Sequence, residues 1–118
     1  MTYGDGDGVN YGPLVSLDIA SHEITHGVTE FSANLVYQRE SGALNESFSD
    51  IFGEMVEYHA TGSNDWQMGT DIGIGGSGAI RSMDNPNAFS DPDTYGGTHW
   101  YNPNCGVPQR TNGYCGVH

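Results

Sequence analysis

The sequence contains no lysine and only three arginines, against fifteen acidic residues, which gives a formal net charge of −12. Nucleic acid phosphates and anionic lipid headgroups repel a chain with this much negative charge. We therefore expect neither nucleic acid nor an anionic membrane among its partners. It also lacks an apolar run long enough to cross a membrane. Part of the negative charge is expected to be neutralised by bound cations.

Cysteine is also scarce, with only Cys105 and Cys115, both in a segment rich in proline, asparagine and glycine. This setting favours a disulfide formed in an oxidising compartment over a second metal site. No signal peptide is present, although a chain without its true N-terminus would not contain one. With 118 residues, the chain has the size of one small domain with a modest core.

Two histidines four residues apart, His22 and His26, lie in a predicted helix from about residue 17 to about residue 31. They would project from one face of it, because four residues of an α-helix advance about 400°. Zn²⁺ accepts neutral imidazole nitrogen readily, and Glu23 could take a proton from water beside the metal. From this pattern alone, two surface histidines are an equally good interpretation.

A second motif begins nineteen residues after His26, in a segment whose apolar residues recur at helical spacing. This periodicity predicts a helix from about residue 41 to about residue 59, with Glu46 and Asp50 one turn apart on a shared face. A catalytic zinc site needs three protein ligands and an open position, so Glu46 is the predicted third ligand. Asp50 and Asn45 are predicted to hold the ligand histidines through hydrogen bonds. An ordinary acidic helix face is the alternative.

The rest of the chain is predicted to form connections and ordered loops. Ser16 or Asp18 is available to cap the first helix, and residues 32–39 connect it to the second. The glycine and aspartate residues at 3–8 predict a turn, because the later positions of an EF-hand loop lack suitable ligands. Residues 84–113 have little periodicity and predict an ordered loop.

Together these motifs resemble the thermolysin family of secreted neutral zinc endopeptidases. The likeness rests on His-Glu-Ile-Thr-His at 22–26, Asn-Glu-Ser-Phe-Ser-Asp at 45–50, and the runs at 3–8 and 78–86, and it covers nearly the whole chain. Thermolysin itself is a known example of a catalytic zinc site made by two histidines and a glutamate. Details at 53–57, and the short linker before residue 65, resemble the pseudolysin and vibriolysin branch.

The resemblance implies an α+β fold for the parent protein, of which this chain would be a mainly α part with two zinc-bearing helices and long ordered loops. Residues 1–118 would form a partial catalytic domain, truncated at both ends. A β-rich lobe would precede it and further helices would follow. The parent would be a secreted monomer that hydrolyses proteins or peptides.

The resemblance also assigns catalytic roles that the residues alone do not reveal. Tyr37 matches the family tyrosine that helps to hold the developing oxyanion, and Arg81 matches the arginine that binds the substrate backbone. His118 matches a second catalytic histidine, whose imidazolium would stabilise the tetrahedral intermediate. The family aspartate that orients this histidine is missing here, so either Asn112 or the predicted disulfide would hold it instead.

One structural Ca²⁺ is implied as well, bound by four carboxylates that match those of the pseudolysin branch. Two acids of the second calcium site in thermolysin are replaced here by Gln67 and Thr70, so one ion is expected. Solvated acids on a helix face are the alternative. The four expected ligands are Asp18, Glu54, Glu57 and Asp65.

Family members favour a bulky apolar residue just after the cleaved bond, so cleavage is expected on the amino side of such residues. The competing interpretation is a zinc-binding but inactive fragment or relic; intact Glu23 favours the enzyme, because a purely structural zinc site needs no base. Another zincin, such as an aminopeptidase, lacks support from any motif for an N-terminal amine. The positions that match the family's pocket wall are all apolar: Leu14, Ile19, Met68 and Ile80.

Overall fold

The computed structural model describes residues 3–76 and 78–100. Most of the regular structure lies in two helices, α1 (Leu17–Ser32) and α2 (Arg39–Thr61). A short antiparallel ladder joins β1 (Gln67–Met68) to β2 (Arg81–Ser82). The predicted mainly α character with long loops is confirmed. Three short 3₁₀ turns lie in the loops, at Thr70–Ile72, Ile74–Gly76 and Pro86–Phe89.

Both predicted helices are present, with α2 longer by two residues at each end than the periodicity suggested. It ends at Gly62, which adopts a left-handed φ of 83° and donates its N–H to the Tyr58 carbonyl. Ser16 occupies the N-cap position of α1, but its hydroxyl makes no capping hydrogen bond. Asp18 lies inside the helix, so the prediction of a side-chain cap by either residue is wrong. Neither helix is long and apolar enough to span a bilayer.

The two helices pack antiparallel through a polar interface. His26 contacts Asn45 near one end, and Asp18 lies against Gly53 near the other. The apolar side chains whose spacing predicted α2 are not part of this interface. They remain between 37% and 53% exposed. This apolar stripe consists of Leu44, Phe48, Ile51, Phe52, Met55 and Val56.

A small apolar cluster lies beside the helix pair and joins α1 to the loops that follow α2. Ile19, Met68 and Ile72 form its buried centre. Because Ile19 is three residues before His22 on α1, this cluster lies next to the turn that carries the predicted metal ligands. The partly buried side chains packed around it are Tyr11, Leu14, Ile80 and Met83.

Gly53 allows the close approach of α2 to α1. A Cβ atom at this position would lie 2.7 Å from the Asp18 carbonyl oxygen and 3.6 Å from the His22 amide nitrogen. These two groups belong to the helical turn that separates the predicted calcium ligand Asp18 from the predicted zinc ligand His22. Gly27, on α1, has open space around its Cβ position instead.

We predict that Gly53→Ala lowers the free energy of unfolding by about 1–3 kcal/mol, because backbone atoms cannot rotate away from the added methyl group. Gly27→Ala is the matched control, and should be neutral or stabilise by up to about 1 kcal/mol through helix propensity. Urea unfolding of the full-length protein measures both. Equal effects of the two substitutions would contradict the close approach.

Candidate active site

The structure brings together the three predicted zinc ligands, His22, His26 and Glu46. The two Nε2 atoms are 2.9 Å apart, and the Glu46 carboxylate oxygens lie 3.3 Å from Nε2 of His22 and 3.5 Å from Nε2 of His26. Tetrahedral ligands at zinc bond lengths of about 2.0–2.1 Å are separated by about 3.3 Å. The spacing of the three side chains therefore fits a single ion of this size.

The other nitrogen of each imidazole is held by α2. Nδ1 of His22 lies 2.7 Å from Oδ1 of Asp50, and Nδ1 of His26 lies 2.7 Å from Oδ1 of Asn45. Because both partners are hydrogen-bond acceptors, each Nδ1 carries the proton and each Nε2 presents a lone pair. Two lone pairs and a carboxylate facing one another require a positive charge between them, which a metal ion would supply.

The acid–base behaviour of His22 agrees with this requirement. Burial by itself lowers the pKa of His22, but hydrogen bonds to Asp50 and Glu46 outweigh it and raise the pKa to about 9. In the absence of metal, a proton on His22 thus supplies the positive charge that a metal ion would otherwise provide. A metal ion would have to displace that proton, so its binding is coupled to proton release.

Asp50 is held in turn by Arg81. Nε of Arg81 donates to Oδ2 of Asp50 at 2.8 Å, and Nη2 donates to Oδ1 at 2.7 Å, in a two-pronged geometry that fixes the carboxylate plane. Arg81 also lines the cavity described next. The predicted substrate-binding arginine therefore also orients the carboxylate that holds His22.

An open cavity of about 750 Å³ lies in front of the three ligands. Glu23 lines it beside His22, and the Tyr37 ring meets the His26 ring edge-on with their centres 5.9 Å apart. The structure thus brings the predicted base, the predicted oxyanion donor and the metal ligands to one cavity. The predicted apolar wall positions all line it too: Leu14, Ile19, Met68 and Ile80.

Sequence reasoning missed Ser49, a fully buried residue whose hydroxyl lies 3.1 Å from Nδ1 of His26. Asn45, Ser49 and Gly53 follow one another at four-residue spacing on α2, so all three face α1. The spacing from Asn45 was the available signal. It was not used, because serine is common on helices and carries no chemistry of its own in this pattern.

The predicted calcium ligands lie towards the opposite end of the helix pair, with Asp18 about one turn before His22 on α1 and Glu54 about two turns after Glu46 on α2. Carboxylate oxygens of Glu54, Glu57 and Asp65 converge within 4.8 Å of one another, and Asp18 is close by. Burial, reinforced by the charges of Glu57, Asp65 and Asp18, raises the pKa of Glu54 to about 7. Oδ1 of Asp18 and Oε1 of Glu54 are buried and have no hydrogen-bond partner among the described residues. Unpartnered buried carboxylate oxygens fit a bound cation better than a solvated acidic face.

Four predicted residues, His118, Asn112, Cys105 and Cys115, lie outside the described part of the chain. The catalytic role of the histidine and the disulfide therefore stay predictions.

Comparison with known proteins identifies the family of the chain. The family model of the thermolysin metallopeptidase catalytic domain matches residues 1–30, and that of the α-helical domain matches residues 33–118. Bacillolysin of Brevibacillus brevis is 57% identical over 98 residues, and thermolysin of Alicyclobacillus acidocaldarius subsp. acidocaldarius is 52% identical over 99 residues. Each match covers 80% of this chain but 18% of the relative.

A solved structure is similar over nearly the whole chain. The precursor of protealysin, a metalloproteinase from Serratia proteamaculans, aligns with a TM-score of 0.66 at 33% identity. The alignment covers 98% of this chain and 38% of that one. Because the α-helical family model alone covers more than half of the residues, the chain belongs to the thermolysin family of metallopeptidases.

Proposed function

We propose that the protein containing this chain is a zinc-dependent endopeptidase. The observation that carries the proposal is the convergence of two imidazole lone pairs and the Glu46 carboxylate at one cavity, with Glu23 beside them. Three protein ligands that face an open cavity are typical of a catalytic zinc site rather than a structural one. Zinc, when bound to His22, His26 and Glu46, would supply a Lewis acid that polarises the peptide carbonyl and acidifies water.

Glu23 is the proposed base. It follows His22 directly on α1 and lines the cavity, so its carboxylate is in a position to accept a proton from the attacking water. As the peptide bond breaks, the same carboxyl group would return the proton to the leaving amine. In this division of roles, His22, His26 and Glu46 hold the metal while Glu23 moves the proton.

Three further residues would act on the substrate. The hydroxyl of Tyr37 is proposed to donate a hydrogen bond to the developing oxyanion, which its place beside His26 supports. Arg81 is proposed to bind the substrate backbone while it holds Asp50, and His118 is proposed to add positive charge at the tetrahedral intermediate.

The substrates are proposed to be proteins or peptides, cleaved on the amino side of bulky apolar residues. The four apolar wall positions in the cavity support this preference. On the family resemblance, we infer that the enzyme acts outside the cell, and we keep its place in the pseudolysin and vibriolysin branch as a prediction. The chain itself spans less than one fifth of the curated relatives named above.

The acidic cluster of Asp18, Glu54, Glu57 and Asp65 is proposed to bind one structural Ca²⁺. Calcium takes several carboxylate oxygens at once, and two buried oxygens of the cluster have no hydrogen-bond partner within residues 3–76 and 78–100. A bound ion would offset the repulsion that raises the pKa of Glu54.

We predict that Glu46→Gln in the full-length protein releases zinc, whereas Glu23→Gln retains zinc and loses at least about a hundredfold in kcat, the lower range for a general base. Metal analysis and peptidase assays with and without a chelator measure the two effects. Glu40→Gln, at an exposed position of α2, is the control and should change neither. Zinc-free Glu23→Gln protein would contradict the proposed roles, and full activity of that variant would exclude Glu23 as the base.

Calcium should raise the melting temperature of the full-length protein. An ion that binds only the folded state adds about 2.7 kcal/mol to the free energy of unfolding at a hundredfold excess over Kd. Titration calorimetry should detect one tight site. Two tight sites, or none, would overturn the expected single ion.

The pH dependence of stability should reverse with calcium. The pKa of Glu54 is raised from 4.5 to about 7 in the folded protein. Without calcium, the folded state therefore binds more protons than the unfolded state between these two pH values. The contribution of Glu54 to the free energy of unfolding then falls as pH rises from about 4.5 to 7. With calcium, the ionised cluster is the binding form and stability should rise over the same range. Melting temperatures at pH 5 and pH 7.5, with calcium and in calcium-free buffer that still supplies zinc, measure the difference; parallel curves would contradict it.

A further inference from the structure

Asp18 connects the acidic cluster to the apolar wall of the substrate cavity. Its side chain is only 2% exposed, and its two carboxylate oxygens have different surroundings. Oδ2 accepts a hydrogen bond of 2.5 Å from the Gly69 backbone N–H, whereas Oδ1 is buried with no hydrogen-bond partner in the part of the chain that the structure describes. The Asp18 carboxylate thus binds the Gly69 loop through one oxygen and leaves the other oxygen available to a cation.

The loop held by Asp18 carries the cavity wall. Gly69 directly follows Met68, and the Ile80 N–H donates to the Met68 carbonyl at 2.9 Å. Gly69 adopts a left-handed φ of 81°, and its Cβ position lies 3.2 Å from the Ile80 side chain and 3.6 Å from that of Ile19. A shift of Gly69 would therefore move three of the four predicted wall residues relative to one another.

We propose that Asp18 is a positioning residue that couples cation binding at the acidic cluster to the shape of the apolar wall, and thereby to side-chain selectivity. The proposal rests on the proposed peptidase function and adds a role in specificity to the calcium site. A cation on Oδ1 would fix the carboxylate plane and keep Oδ2 on Gly69. Without the cation, the carboxylates of Glu54 and Glu57 repel the Asp18 carboxylate. This repulsion would act against the hydrogen bond that Asp18 accepts from the Gly69 N–H.

Three substitutions in the full-length protein separate this link from general destabilisation. Asp18→Ala removes the acceptor for Gly69 and the cation ligand together. Asp18→Asn keeps a carbonyl acceptor for Gly69 but weakens the cation site. Glu40→Gln is the control, because it removes an exposed acid in the first turn of α2, fourteen residues before Glu54, and leaves the Asp18 contact intact.

The first readout is selectivity, given as the ratio of kcat/KM for two peptides that differ only in phenylalanine or alanine after the cleaved bond. We expect transfer to calcium-free buffer that still supplies zinc, or Asp18→Ala, to lower this ratio at least about fivefold in the range typical of apolar pockets, chiefly through KM for the phenylalanine peptide. Asp18→Asn should keep the ratio and make it insensitive to calcium. Glu40→Gln should behave as wild type.

The second readout needs no catalysis: hydrogen exchange of the Gly69 amide, measured well below the melting temperature of each protein. Protection should fall at least about tenfold on calcium removal and in Asp18→Ala, and should persist in Asp18→Asn. If Asp18→Ala does not fold, wild type with and without calcium, compared with Asp18→Asn, carries the test.

Unchanged Gly69 protection and an unchanged ratio after calcium removal would overturn the proposal. A loss of selectivity in Asp18→Asn equal to that in Asp18→Ala would also overturn it, since charge and not the Gly69 contact would then be responsible. If wild-type protein cleaves no peptide, the peptidase function fails, and the Gly69 exchange alone decides the coupling.

Discussion

The close antiparallel contact between α1 and α2 is the constraint on which the rest of the site depends. It places chemistry at successive turns, because every fourth residue of one helix meets a residue of the other. From one end to the other, the paired positions join His26 to Asn45 and Ser49, His22 to Glu46 and Asp50, and Asp18 to Gly53 and Glu54.

This interface differs from that of most helix pairs, which exclude water with apolar side chains. Here carboxylates, imidazoles and small residues fill the space, so attraction between the helices comes from hydrogen bonds and from the positive charges they enclose. At one end a proton on His22, or a metal ion, supplies that charge. At the other, Glu54 either retains a proton or shares a cation. Structure and metal binding are consequently parts of one equilibrium.

The sequence predicted which residues share a face, but not always what that face meets. His22, His26, Glu46 and Asp50 were found because metal chemistry restricts both residue type and spacing. The apolar periodicity of α2 predicted a helix correctly, yet the face turned towards α1 is polar. Gly53 acts through the absence of a side chain, and the link from Asp18 to Gly69 joins positions fifty-one residues apart, so neither leaves a local pattern.

The exposed stripe on α2 has a practical consequence. Six apolar side chains between Leu44 and Val56 are exposed on this one helix, and exposed apolar surface promotes self-association in water. The formal charge of −12 opposes this association, but added salt screens the charge and leaves the apolar attraction intact. If the 118-residue chain is produced by itself, its solubility should therefore fall as ionic strength rises. Proteins that associate through opposite charges behave in the opposite way and become more soluble as salt is added.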